Sequence, residues 1–131
     1  MDYKKTLELI EKILEELKEE CKDKPIVVEG EKDVKALRKL GFKSKIITAN
    51  KGISLTDFCD HIAQNYNEII ILTDWDRKGG FLCSTIKKNL EGRVKCNTYF
   101  RKMFAQNVTT KKIEGLPSWI ETLKKNIVNL E

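Results

Sequence analysis

Apolar residues recur every three or four positions from residue 3 to residue 21. That spacing places them on one side of a helix, while glutamates and lysines occupy the other side. The pattern predicts a long amphipathic helix over residues 3–21, and Pro25 follows it after a short polar turn. The positions expected to face the core are Leu7, Ile10, Ile13, Leu14, Leu17 and Cys21.

Downstream of Pro25, short apolar runs alternate with helical periodicities three times in succession. The predicted strands are 26–28, 45–49, 68–73 and 94–100. The predicted helices are 31–40, one that begins after Ser54, and 79–90, whose Phe81 and Leu82 are expected to face the core. This alternation predicts an α/β fold in which helices flank a central four-stranded parallel sheet.

The last part of the chain has a weaker pattern. We expect an irregular basic segment over residues 101–115, with a short helix near Met103, and a terminal helix from Pro117 to about residue 130. The predicted organisation is one domain over residues 1–131, with a core at about 25–100, an N-terminal helix and a basic C-terminal extension over 101–131.

Composition and charge narrow the function classes. A chain of 131 residues with 40% hydrophobic and 34% charged residues is typical of a globular protein. It contains neither a bilayer-spanning apolar run nor a signal-peptide pattern, so we expect a cytoplasmic protein without a membrane partner. Its four cysteines include no CxxC pair, so neither a zinc site nor a disulfide framework is predicted. The net charge of +5 resides in residues 93–131, where eight cations accompany three acids, and this favours a polyanionic partner.

Acidic residues follow two of the predicted strands. The apolar run 69–72 leads into Asp74 and Asp76, and the first strand leads into Glu29. Because parallel strands present their carboxyl ends at one edge of a sheet, we expect these three carboxylates to converge there. Such a set suits Mg²⁺ or Mn²⁺ and supports phosphoryl or phosphodiester transfer. The cations expected to bind substrate phosphates are Lys51, Arg77 and Lys78.

Residues 25–100 resemble the Toprim domain that topoisomerases, bacterial-type primases and the 5S ribosomal RNA maturase share. The resemblance lies in the sequences Val28-Glu29-Gly30 and Thr73-Asp74-Trp75-Asp76. It implies a Rossmann-like fold, to which the predicted N-terminal and C-terminal helices are additions. It also implies that Glu29 is the general acid/base and that Asp74 and Asp76, with Glu29, hold the Mg²⁺. The positions expected to support the site are Gly30, Asp33 and Gly52, with Asp33 mainly structural at the start of its helix.

The chain also departs from that family. Lys78 and Gly80 occupy the region where topoisomerases carry a further glutamate, so metal binding could be weaker or limited to one ion. Trp75 is larger than the usual residue between the aspartates, and we expect it either to pack sideways or to stack on a nucleic-acid base. Since these 131 residues are expected to form one domain, we do not expect this chain alone to relax DNA or synthesise primers.

Three functional interpretations remain open from the sequence. The first is a metal-dependent phosphodiesterase, an RNA-processing endonuclease, with RNA favoured over DNA by the resemblance to the maturase. The second is a non-catalytic module that binds metal and nucleic acid, or a protein partner. The third, a haloacid-dehalogenase phosphatase or a receiver domain, fits poorly because those families carry their acidic pair on the first strand. We expect a monomer or weak dimer that could act within a larger RNA-processing or repair complex.

Overall fold

Six α-helices surround four short strands in the computed structural model, which describes residues 2–50 and 52–130. The strands are β1 (Ile26–Val28), β2 (Ile46–Thr48), β3 (Glu68–Ile71) and β4 (Lys95–Asn97). The helices are α1 (Tyr3–Glu20), α2 (Glu31–Lys39), α3 (Leu55–Asn65), α4 (Arg77–Leu90), α5 (Tyr99–Asn107) and α6 (Leu116–Leu130). A 3₁₀ turn at Ile113–Gly115 precedes α6.

The four strands form one parallel sheet in the order β2-β1-β3-β4. This confirms the predicted four-stranded parallel sheet and the Rossmann-like α/β class. The chain moves from β1 outward to β2 and then crosses back over β1 to reach β3. The direction of winding therefore reverses between β1 and β3, and a reversal of this kind leaves a crevice at the carboxyl ends of the two strands.

Both faces of the sheet are buried, as the continuous apolar strands require. On one face Val28, Ile70 and Leu72 belong to a core that α1, α2, α5 and α6 cover. On the other face Val27 and Ile71 pack against α3 and α4. The second core is built from two helices only, whereas the first includes both helices of the C-terminal extension.

Two local signals are confirmed, the cap at Ser54 and the end of a helix at Gly41. The Ser54 hydroxyl accepts a hydrogen bond from the Asp57 N–H at 3.0 Å and thereby caps α3. Gly41 ends α2 with a φ of +91°, which glycine adopts without strain. The four cysteines are free thiols. Among residues 2–50 and 52–130, no helix is sufficiently long and apolar to span a bilayer.

The predicted end of the fourth strand is wrong. The strand was expected to run to Phe100, but β4 ends at Asn97, whose side-chain oxygen accepts the Tyr99 N–H at 2.9 Å. The helix α5 begins at Tyr99, and its Phe100 and Phe104, four residues apart, are both buried in the first core. In the segment expected to be irregular, residues 101–107 are therefore helical, because helical spacing places both rings in the first core. This helix includes the short one expected near Met103, and residues 108–112 belong to no helix.

The expectation that Phe81 faces the core is also wrong, since 76% of its surface is exposed. Helix α4 begins at Arg77, two residues before the predicted start, because the Asp76 carboxylate accepts the Gly79 N–H at 2.7 Å and caps it. Gly79 is buried so tightly that an added Cβ would lie 1.9 Å from the Asp74 carbonyl oxygen. With Gly79 facing inward, a residue two positions later points about 200° away around the helix.

Candidate functional site

The first and third strands deliver acidic residues to the same end of the sheet. β1 pairs with β3 in the register Ile26↔Ile70 and Val27↔Ile71, so the two chains leave the sheet side by side. Glu29 directly follows β1, and Asp74 follows β3 by three residues. The two acids therefore meet at the crevice where the direction of winding reverses.

Three carboxylates converge in this crevice. Glu29, Asp33 and Asp74 each offer an oxygen, and these oxygens all lie within 4.8 Å of one another. Asp33 and Asp74 are buried, each with 6% of its surface exposed. Oxygen Oε1 of Glu29 is buried without a hydrogen-bond partner among the described residues. An unpartnered carboxylate oxygen beside two further acids fits a hard divalent cation such as Mg²⁺.

The repulsion among these acids raises the pKa of Glu29 and of Asp33. Burial, the direct approach of Asp74 and the charges of Asp33 and Asp76 together raise the pKa of Glu29 from 4.5 to about 7. Burial also raises the pKa of Asp33, as do the charges of Asp74 and Glu114, although the Gly30 N–H opposes the shift. The carboxylates of the site thus repel one another, and a bound proton or cation would reduce that repulsion.

Asp33 has a dual position. It occupies the first turn of α2, and its carboxylate accepts a hydrogen bond from the Gly30 N–H at 3.1 Å. This contact closes the turn between β1 and α2, which matches the expected structural role. Asp33 is also the third member of the acidic group with Glu29 and Asp74, and this second role was not expected.

Asp76 lies differently from the prediction that it would meet Glu29 and Asp74 around one ion. One of its carboxylate oxygens caps α4 through the Gly79 N–H, and Asp76 is not in the group of three converging acids. Its charge nevertheless contributes to the raised pKa of Glu29. Asp76 therefore lies near the acidic group but has a structural task of its own.

The C-terminal extension holds Asp74 in place. The Asp74 carboxylate accepts the Ile113 N–H at 2.9 Å, and its carbonyl accepts Nε and Nη2 of Arg101 at 3.2 and 2.9 Å. The neighbouring Trp75 N–H donates to the Lys111 carbonyl at 3.0 Å. Sequence reasoning missed Arg101 and Ile113 as parts of the site. The only available signal was the basic character of the extension, which carried no information about their partners.

Trp75 packs sideways, the first of its two expected arrangements. Its ring stacks on Phe104 with centroids 5.5 Å apart, and its Nε1 donates to the Thr110 carbonyl. The residue between the two aspartates therefore anchors the C-terminal extension to the sheet. It is not positioned at the rim to receive a nucleic-acid base.

An open cavity of about 680 Å³ contains the acidic group. Lys78, an expected phosphate ligand, lines this cavity together with Lys112 from the extension. Arg77 is exposed at the start of α4, and Lys51 lies outside the described residues. Gly52, an expected support residue, has a φ of +76°. Apolar side chains form part of the remaining wall, namely Ala49, Ile53, Leu55 and Leu82, and polar or charged residues form the rest, namely Glu31, Lys32, Asn50 and Glu114.

Comparisons with known proteins agree with this geometry. The Toprim domain profile matches residues 24–107. The UPF0292 protein of Thermoplasma volcanium is 43% identical over 98 residues, which cover 74% of this chain and 82% of that protein. The UPF0292 protein of Methanocaldococcus jannaschii is 36% identical over 121 residues, covering 90% and 91%.

A solved structure of a protein from Aquifex aeolicus has the same fold. It superposes with a TM-score of 0.68 at 25% sequence identity, and covers 79% of this chain and 94% of that one. The range matched by the Toprim profile contains all three converging acids, whereas Ile113, which binds the Asp74 carboxylate, lies beyond it.

Proposed function

This chain belongs to the Toprim domain family, and on that premise we propose that it is a Mg²⁺-dependent phosphodiesterase that cleaves nucleic acid. We favour RNA as the substrate and an endonucleolytic, RNA-processing activity. The observation that carries the proposal is the convergence of Glu29, Asp33 and Asp74, together with the buried, unpartnered oxygen of Glu29. A purely structural acidic group would be expected to have its buried oxygens satisfied by hydrogen bonds.

Glu29 and Asp74 would hold the metal ion, with Asp33 at the third corner and Asp76 adding negative charge nearby. Mg²⁺ or Mn²⁺ in this position supplies positive charge that neutralises phosphate oxygens and stabilises the charge developing during phosphodiester cleavage. Lys78 and Lys112 border the same cavity and would bind the neighbouring phosphates. Arg77, exposed at the start of α4, would extend this cationic border, and Lys51, which lies outside the described residues, stays a predicted phosphate ligand.

Glu29 is the residue suited to move a proton. In the metal-free site, where the pKa of Glu29 is about 7, both of its protonation states are populated near neutral pH, and a bound cation would favour the carboxylate form. In the proposed reaction a water molecule or a ribose hydroxyl attacks phosphorus, and the bond from phosphorus to the leaving oxygen breaks. The Glu29 carboxylate accepts the proton of the attacking oxygen, or its protonated form donates one to the leaving oxygen.

The test is incubation of the full chain with labelled single- and double-stranded RNA and DNA, with Mg²⁺, with Mn²⁺ and with EDTA. We expect metal-dependent cleavage that Asp74→Asn abolishes. The matched variant Asp76→Asn retains a good helix cap while removing the charge, so it should keep the fold and weaken cleavage less than Asp74→Asn. Cleavage that persists unchanged in Asp74→Asn would place the activity elsewhere and refute the proposal.

A non-catalytic binding module is the second candidate. One observation favours it: Asp76 is engaged in capping α4, which leaves fewer carboxylates free for an ion than the Asp-x-Asp pattern suggests. Glu29→Gln separates the two candidates, because an enzyme should lose cleavage and keep nucleic-acid binding. A binding module would show no cleavage in the unaltered chain under any metal condition.

A further inference from the structure

An aromatic ring stands exposed on α4, the helix whose Lys78 and Leu82 line the acidic cavity. Phe81 lies on α4 one turn after the helix begins, and 76% of its surface is accessible. The core-facing positions of this helix are Gly79, Cys83, Ile86 and Leu90, on the opposite side. Because the opposite face of α4 packs on the core, Phe81 points outward, and no described part of the chain covers it.

The surroundings of Phe81 are cationic and border the cavity. Arg77 and Lys78 precede Phe81 by four and three residues, so all three side chains share one region of the helix surface. Lys78 and Leu82, the residue that follows Phe81, line the cavity that contains Glu29 and Asp74. Within the same cavity Ile53 is half exposed and extends the apolar wall.

We infer that this surface binds single-stranded nucleic acid, with one unpaired base stacked on Phe81 and the flanking phosphates on Arg77 and Lys78. Proteins bind single strands through aromatic side chains that lie beside cations, because every nucleotide offers a π-face next to a phosphate. In a duplex, neighbouring base pairs cover those faces. The inference deepens the proposed function, since it names an unpaired strand as the substrate class of the same site.

The position of Phe81 also fits the chemistry. Phe81 follows the Asp76 cap by five residues, which corresponds to about 7.5 Å along the helix axis. A nucleotide stacked there would place its neighbour along the strand toward the cavity that Lys78 and Leu82 line. Trp75 cannot serve this purpose, because Phe104 and Thr110 already engage its ring.

The experiment measures binding without turnover. The full chain carrying Asp74→Asn, with and without Phe81→Ala, is titrated in EDTA against fluorescein-labelled RNA and DNA single strands of about 15 nucleotides and the corresponding blunt duplexes. Fluorescence anisotropy at one fixed salt concentration reports the dissociation constants. We expect Phe81→Ala to weaken single-strand binding about 5- to 100-fold. The effect on duplex binding should stay within about twofold, since the duplex offers no free base face.

Two control variants make the result specific. Phe81→Trp keeps an aromatic face and should retain single-strand affinity. Leu130→Ala removes an apolar side chain that is also 76% exposed but belongs to α6, and should change nothing. Unchanged single-strand affinity in Phe81→Ala, or an equal loss on duplexes, would overturn the inference. Because the assay needs no cleavage, a chain that binds through Phe81 yet cleaves nothing would refute only the proposed enzyme.

Discussion

Replacing Glu29 by glutamine should stabilise the metal-free protein, and only at higher pH. The folded chain raises the pKa of Glu29 from 4.5 to about 7, so between these values it retains a proton that the unfolded chain has lost. Raising the pH then favours the unfolded state. The stability associated with protonated Glu29 is complete below about pH 4.5 and is lost as the pH rises through about 7. Glutamine stays neutral throughout and avoids this loss.

The size of the effect follows from the shift. A change from 4.5 to about 7 corresponds to about 3 kcal/mol if converted directly. Glu29 is only partly buried, and solvent screening should reduce this to about 1 to 2 kcal/mol. For a domain of this length such a difference moves the melting temperature by about 4 to 8 °C.

The assay is thermal unfolding of both chains in EDTA at a series of pH values. The Glu29→Gln chain should melt with the unaltered chain near pH 4.5 and about 4 to 8 °C above it at about pH 8. Glu91→Gln makes the same chemical change at an exposed position and should show no such divergence. A Glu29→Gln chain that is equally destabilised at every pH would refute the reasoning, because it would mean that the carboxylate is satisfied by contacts in the fold.

Adding Mg²⁺ should reverse the order of the two melting temperatures, because the ion should stabilise the unaltered chain more than the Glu29→Gln chain. The ion competes with the proton for Glu29, so its affinity for the unaltered chain should rise as the pH passes through about 7. Calorimetric titration at several pH values measures this directly. Affinity that is independent of pH, or equal in the glutamine variant, would exclude Glu29 from the metal site.

Two further predictions concern how Asp74 is held. Gly79→Ala should destabilise the fold by about 1 to 3 kcal/mol in a denaturant titration, because the new Cβ would lie 1.9 Å from the Asp74 carbonyl oxygen. The control Gly80→Ala should be neutral or slightly stabilising in the same titration, because its Cβ would meet only Arg101 Nη2, at 3.3 Å. Arg101→Ala removes both side-chain hydrogen bonds to the Asp74 carbonyl and should cost about 1 to 2 kcal/mol and weaken Mg²⁺ binding. The exposed neighbour Lys102→Ala should do neither, and equal effects of the two variants would contradict a specific role for Arg101.

Much of this arrangement could be predicted because its signals are local. The unbroken apolar run of β3 required burial on both faces, and helices after each strand required parallel pairing, which together placed Glu29 and Asp74 at one edge. The phase of α4 was not predictable in the same way. Hydrophobicity favoured Phe81 for the core, but the close contact of Gly79 with the Asp74 backbone decides which side faces inward. That contact joins two segments through backbone shape and leaves no trace in hydropathy.

The C-terminal extension shows why charge alone was an incomplete guide. Its basic composition indicated a polyanion, yet Arg101 is directed at the carbonyl of Asp74, and the Ile113 N–H is directed at the carboxylate. The Arg101 guanidinium brings positive charge, and the Ile113 N–H brings a hydrogen bond, to a residue that lies beside two other acids, so both donors stabilise Asp74 in that position. The range matched by the Toprim profile thus supplies the acids and Arg101, while Ile113, which lies outside that range, adds a backbone hydrogen bond to the Asp74 carboxylate.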